Sequence, residues 1–229
     1  MTTTLITGAS RGIGLELARQ AAARGDTVIA CARDITAEGL DALAAEADPL
    51  VQRETLDVAD PASCAALADR LEGRTIDLLV CNAGIYRGKG RIMDDVWAPD
   101  DWAATMMVNV AGVFFTVRAL LPMLRRPGGR IAVISSQMGS SARARGGSYI
   151  YRASKAAATN LAVNLALDLK DQEIWVGSYH PGWVRTEMGG SGADIGVEQS
   201  AEGLLRRFDA LGPRHSGVFE TYDGAAIPF

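Results

Sequence analysis

The chain has 229 residues, 48% of them hydrophobic and 22% charged, with a formal net charge of −4. This is the profile of an ordinary globular chain, and its mild acidity argues against nucleic acid or an anionic membrane as partner. Cys31, Cys64 and Cys81 are too few and too irregularly spaced for a disulfide framework or a metal cluster. No apolar run approaches the ~18 residues of a membrane span, and no signal-peptide pattern opens the chain. The expected location is the cytoplasm, with no metal.

The first predicted strand, "TLIT", leads into "GASRGIG" and then into an alanine-rich stretch of helical spacing from Gly14 to Arg24. Glycine has the most freedom to lose on ordering, so three in one turn mark a path that other residues cannot follow. Gly8 is expected at positive φ where the chain leaves the strand. Gly12 is expected to admit an anion to the helix N-terminus, and Gly14 to let the helix lie close to the sheet. The spacing Gly8-x-x-x-Gly12-x-Gly14 differs from the commoner G-x-G-x-x-G, and a tight strand-to-helix turn would account for the glycines equally well.

Further apolar runs follow: "TVIACA", "LVQRET", "DLLVCNAG", "RIAVISS", "IWVGSYHPG" and "GVFETY", separated by helical stretches such as Pro61 to Leu71. Unbroken apolar strands alternating with helices predict a parallel sheet covered on both faces. No linker and no repeat interrupts residues 1–229. The expectation is α/β: a single-domain, doubly wound, Rossmann-like sheet of seven parallel strands.

Within "SYIYRASKAAATNLA", Tyr151 and Lys155 stand four apart, about 40° around a helix axis. Tyr149, six residues from Lys155, would face away. A phenol has an ordinary pKa near 10, and a nearby ammonium favours its ionised form. An exposed helix-surface pair would show the same spacing. Neither histidine stands with a serine and an acid as a hydrolase would need.

Together these features resemble the short-chain dehydrogenase/reductase family. Thr7-Gly8-x-x-x-Gly12-x-Gly14, Asn82-Ala83-Gly84, Asn109, Ser136, Tyr151-x-x-x-Lys155 and Pro181-Gly182 stand in that family's order along essentially the whole chain. "YRASK", "HPGWVRTEMGG" and the ending "YDGAAIPF" are similar to its sniffer-like and C-factor-like carbonyl reductases. The resemblance implies an NADP(H)-dependent oxidoreductase that interconverts a carbonyl (ketone, aldehyde or quinone) and an alcohol, as a homodimer or homotetramer. A signalling or redox-sensing protein with little turnover is the alternative.

By the same resemblance, Ser136 would bind the substrate oxygen and Tyr151 would exchange a proton with it. Lys155 would lower the Tyr151 pKa and hold the nicotinamide ribose, and Asn109 would anchor a water leading to Lys155. Ser135 could replace Ser136. Gly8, Ser10, Arg11, Gly12, Ile13 and Gly14 would face the cofactor phosphates, and Asp57 and Val58 the adenine. Asn82, Ala83 and Gly84 would line the adenine-ribose side, while Pro181, Gly182, Val184 and Thr186 would frame the carboxamide. Tyr86, Met138, Trp183 and Met188 are candidate pocket walls or core residues. "CNAG" departs from the family's usual "NNAG", and Cys81 is read as structural.

Strand 2 carries the choice of cofactor. In "TVIACARD", Ala32 takes the place of an NAD-selective acid and Arg33 follows it. With Arg11, this favours the 2′-phosphate of NADP(H) over NAD(H). Asp34 would serve NAD instead if the strand ran two residues further.

Overall fold

The computed structural model describes residues 2–229. Its seven strands are β1 (Thr3–Thr7), β2 (Thr27–Ala32), β3 (Val51–Thr55), β4 (Leu78–Cys81), β5 (Arg130–Ile134), β6 (Trp175–His180) and β7 (Phe219–Thr221). They form one parallel sheet in the order β3-β2-β1-β4-β5-β6-β7. The helices are α1 (Gly12–Ala23), α2 (Glu38–Glu46), α3 (Pro61–Arg70), α4 (Pro99–Met106), α5 (Gly112–Leu120), α6 (Tyr149–Asp168) and α7 (Val197–Ala210). A π turn over Met107–Ala111 joins α4 to α5.

The strands read as continuous apolar runs because both faces are covered. Leu5, Ile29, Ile131 and Val133 point into one core with Val113, Val117 and Ala158. Their neighbours Ile6, Val28, Leu78 and Ala132 point into the other with Leu17, Ala21 and Phe208. Adjacent strand residues thus serve opposite layers, as the two-residue period of a strand requires.

The chain order reverses at β1. The chain goes outward through β2 and β3, then returns to add β4 on the other side of β1. A crevice opens beyond the carboxyl ends of β1 and β4, where such sheets take ligands. The family-type residues named above lie at or just beyond the carboxyl ends of β1 to β6 or on the helices beside them.

One expectation is corrected. The continuous helical stretch Pro99–Met123 is 25 residues long and apolar enough, by length and composition, to cross a membrane. It escaped notice because Asp100, Asp101 and Arg118 break its apolar run. In the fold, Val113, Thr116, Val117 and Leu120 on this stretch are buried against the sheet.

Candidate active site

The glycine turn is built around contacts that leave no room for side chains. Gly8 has φ +68, and a Cβ there would come to 2.9 Å from Ala83 Cα. A Cβ on Gly14 would lie 2.3 Å from Gly8 O and 2.5 Å from Asn82 Nδ2, so α1 can approach the sheet only with glycine here. Gly12, at φ +56, opens α1, with the Thr186 methyl 3.4 Å from where its Cβ would stand. No side chain caps α1 and no acid occupies its first turn. Its N-terminal N–H groups and their partial positive charge therefore face the crevice between Gly12 and Thr186.

Thr7, given no role from sequence, ties this turn to the loop after β4. Its Oγ1 accepts from Asn82 N and from Ala83 N, both at 3.0 Å. Asn82 Nδ2 donates to Thr7 O at 2.9 Å and to Gly8 O at 3.1 Å. The Asn82 side chain is thus a brace for the glycine turn, and Gly84, two residues on, faces the open space. A Cβ at Gly84 would sit 3.4 Å from Asn109 Oδ1 and 3.5 Å from Lys155 Nζ. Glycine keeps a gap there beside the lysine.

Asn109 is buried in the π turn. Its Oδ1 accepts from Ile85 N at 2.8 Å, and its Nδ2 donates to Ile85 O and Ser154 Oγ at 3.0 and 2.9 Å. These three bonds join the β4 loop to α6 and leave Oδ1 one further acceptor site.

Ser135 and Ser136 are separated by their partners. Ser135 Oγ donates to Lys155 O at 3.1 Å and shares a 2.6 Å hydrogen bond with Thr159 Oγ1, so it is a core hydroxyl. Ser136 Oγ accepts from Met138 N at 3.2 Å, and Ser136 stands close enough to Tyr151 to favour its ionised form. Gly139 allows this, because a Cβ there would lie 2.6 Å from the Lys155 carbonyl carbon.

Tyr151 and Lys155 are both buried on one face of α6, with Nζ 5.6 Å from the phenol ring centroid. Tyr149 turns away and meets Trp97 edge-on at 5.3 Å. The expected lowering of the Tyr151 pKa is reversed: burial pushes the phenol up to about 12, with Ser136 pulling the other way. Lys155 Nζ donates to Ile134 O at 2.7 Å, and burial brings the ammonium down to about 8. Removing water disfavours both charged forms, the phenolate and the ammonium.

The ends of β2, β3 and β6 complete the crevice. β2 stops at Ala32, and Asp34 turns back to accept from Thr36 N and Thr36 Oγ1 at 2.9 and 2.7 Å. The reading in which Asp34 extends the strand therefore fails. Arg33 is exposed, and Ser10 and Ile13 are half-buried in the glycine turn. Arg11 turns to Glu187, Nη1 to Oε2 at 2.8 Å, with the two side chains 76% and 77% exposed. Asp57 Oδ1 accepts from Ala59 N at 2.9 Å, and Val58 packs beneath Gly112. Pro181 leads to Gly182 at φ +90, where a Cβ would lie 2.6 Å from Ile195 Cδ1. Val184 pairs with Ile195, and Thr186 Oγ1 accepts from Gly189 N at 3.0 Å. Trp183 and Met188 are exposed, which removes them from the core.

Tyr86, a candidate pocket wall from the sequence, stands beside Tyr151, and its partner Ser148 carried no signal there. Tyr86 stacks on Tyr151 with ring centroids 4.2 Å apart, and its OH shares a 2.6 Å hydrogen bond with Ser148 Oγ. Ser148 holds a left-handed conformation, φ 49, uncommon for a residue with a side chain.

A cradle kept open by Gly12 and Gly84, with an uncapped helix end on one side and a buried Lys–Tyr–Ser cluster on the other, fits a nicotinamide dinucleotide. The fold and site define a dinucleotide-dependent oxidoreductase. The chain belongs to the short-chain dehydrogenase family, whose model matches residues 2–194. The C-signal protein of Myxococcus xanthus is 38% identical over 67% of this chain and 93% of that protein. Among solved structures, the NADPH-bound carbonyl reductase from chicken fatty liver superposes with a TM-score of 0.91 at 31% identity, over 100% of this chain and 99% of that one. Carbonyl reductase Sniffer of D. melanogaster superposes with a TM-score of 0.93 at 29% identity, covering 100% of both chains.

Proposed function

We propose that this protein is an NADP(H)-dependent carbonyl reductase acting on a ketone, aldehyde or quinone. The observation that carries this reading is the burial of Tyr151 and Lys155 on one face of α6, with Nζ 5.6 Å from the phenol ring centroid and Ser136 buried at the end of β5, and with Lys155 beside the gap at Gly84. When bound, the reduced nicotinamide supplies a hydride to the carbonyl carbon. Ser136 and Tyr151 hydrogen-bond the carbonyl oxygen and stabilise the negative charge that develops on it. Tyr151 then gives its proton to that oxygen, and the product is the alcohol. A phenol held at about 12 is fully protonated at neutral pH, the form that reduction needs. Lys155 lies where it can bind the ribose across Gly84.

NADP(H) is preferred over NAD(H) in this reading. Support comes from exposed Arg33 after buried Ala32 and from the NADPH in the chicken enzyme. Arg11 joins them by leaving Glu187, since an ion pair exposed on both sides contributes no more than about 1 kcal/mol. The protein works in the cytoplasm as a homodimer or homotetramer. Exposed Trp102, Met107, Phe114 and Leu167 on α4 to α6 support self-association, and a monomer in sedimentation equilibrium at micromolar concentration would contradict it.

The likeness to C-signal favours a second reading, a cofactor-binding signalling or redox-sensing protein with little turnover. The two separate in one assay: absorbance of NADPH over a panel of ketones, aldehydes and quinones. The reductase reading expects steady consumption with several of them. Tight NADPH binding without consumption on any would favour the sensor.

A further inference from the structure

We propose that the carbonyl substrate carries a carboxylate and that Lys89 binds it, so that the protein reduces keto or aldehydo acids in preference to their neutral counterparts. This inference rests on the reductase reading above and specifies its substrate. The Lys89 ammonium lies 4.6 Å from the centroid of the Tyr86 ring, and Tyr86 stacks on Tyr151. A positive charge therefore stands one aromatic ring away from the proton donor, at the mouth of the crevice.

The turn that carries Lys89 is held in place, and the exposed side chain reaches from it over Tyr86. Ser148, in its left-handed conformation, ties down both ends of the turn that carries Lys89. Its Oγ holds Tyr86 OH at 2.6 Å, and its N–H donates to Gly90 O at 2.8 Å. Gly88, at φ +64, packs so closely that a Cβ would meet Ile150 Cδ1 at 2.8 Å. Left-handed backbone at a non-glycine residue costs free energy, and such strain gathers at ligand sites.

The ammonium lacks a counter-charge. Among the described residues no carboxylate lies within ion-pair distance of Lys89, and its one hydrogen bond is a long one, 3.3 Å, to Met188 O. Two carboxylates on the neighbouring segments are engaged elsewhere, Asp101 with Arg87 and Asp94 with Arg91 N. An ammonium has three donors and here uses one. A carboxylate entering between Met188 and Tyr86 would meet a preplaced cation, and no internal ion pair would have to break.

The test compares 3-benzoylpropionate with its methyl ester, which share the reacting ketone and differ in charge. The wild-type protein with NADPH is expected to favour the acid by roughly tenfold or more in kcat/KM, the scale of a hydrogen bond to a charged group, expressed mainly in KM. Lys89→Met should collapse the acid-to-ester ratio to about one, Lys89→Arg should keep most of it, and Lys170→Met, at the far end of α6, should leave it whole. Raising the salt from 0.02 to 0.5 M, both on the order of common assay conditions, should lower the ratio. Equal kcat/KM for acid and ester, or a preference that survives Lys89→Met, overturns the proposal. Calorimetric binding of both compounds to the NADPH-loaded protein reads the same preference without turnover. A carboxylate preference there, with no carbonyl reduced, would fault the reductase reading and leave the anion site standing.

Discussion

Single residues in this site are governed by burial as much as by neighbours. Spacing put Tyr151 and Lys155 on one face, and the fold does the same. Spacing could not show that the face is buried, and burial reverses the expected direction of the phenol's shift. Ser135 and Ser136 are adjacent in sequence at the end of β5, so only their partners across the core tell them apart. His180 gives a direct check on burial. It is enclosed, its Nδ1 finds no partner, and burial with nearby Arg143 brings its pKa down to about 4 against the pull of Asp223. The unfolded chain takes up a proton below pH ~6.5 that the folded protein refuses until about pH 4. Folded stability should therefore fall as pH drops through that window, by on the order of 3 kcal/mol at its lower end. Chemical denaturation of the wild type and His180→Gln from pH 7 to 4.5 checks this. Parallel pH profiles for the two proteins would contradict it.

At the scale of elements, the joint between β1 and α1 sets the crevice. Its logic was largely legible: a strand, three glycines and an alanine-rich helix imply a close crossing. The brace from Asn82 to Thr7 and Gly8 was not, because it joins positions about 75 residues apart. The Arg11–Glu187 pair was hidden for the same reason. Gly14→Ala should force α1 away from Gly8 O and Asn82, costing about 1–3 kcal/mol and weakening NADPH binding severalfold. Gly212→Ala is the matched control, since nothing lies within 4 Å of its added carbon; it should stay within about 0.5 kcal/mol of wild type. Thermal melts and fluorescence titration of NADPH read both effects. Equal stability and affinity in the two variants would refute the close-crossing argument.

The whole molecule has the seven strands and two covered faces that the alternating pattern implied, because parallel strands bury both faces and so read as plain apolar runs. Cofactor choice also belongs to this scale, since Arg33 follows β2 while Arg11 of the glycine turn meets Glu187 of the segment after β6. Ala32→Asp with Arg33→Ile should reverse the preference for NADPH over NADH in kcat/KM, and comparable efficiency with both cofactors in the unmodified protein would contradict it.

The central claim, proton transfer by Tyr151 to a reducible carbonyl, meets its most direct test in the turnover of Tyr151→Phe beside Tyr149→Phe. The substitution removes one hydroxyl and keeps the ring against Tyr86. Loss of about 10²–10⁴-fold in kcat, with NADPH affinity unchanged and Tyr149→Phe close to wild type, is the predicted result. Carbonyl reduction by Tyr151→Phe at the wild-type rate would contradict the account.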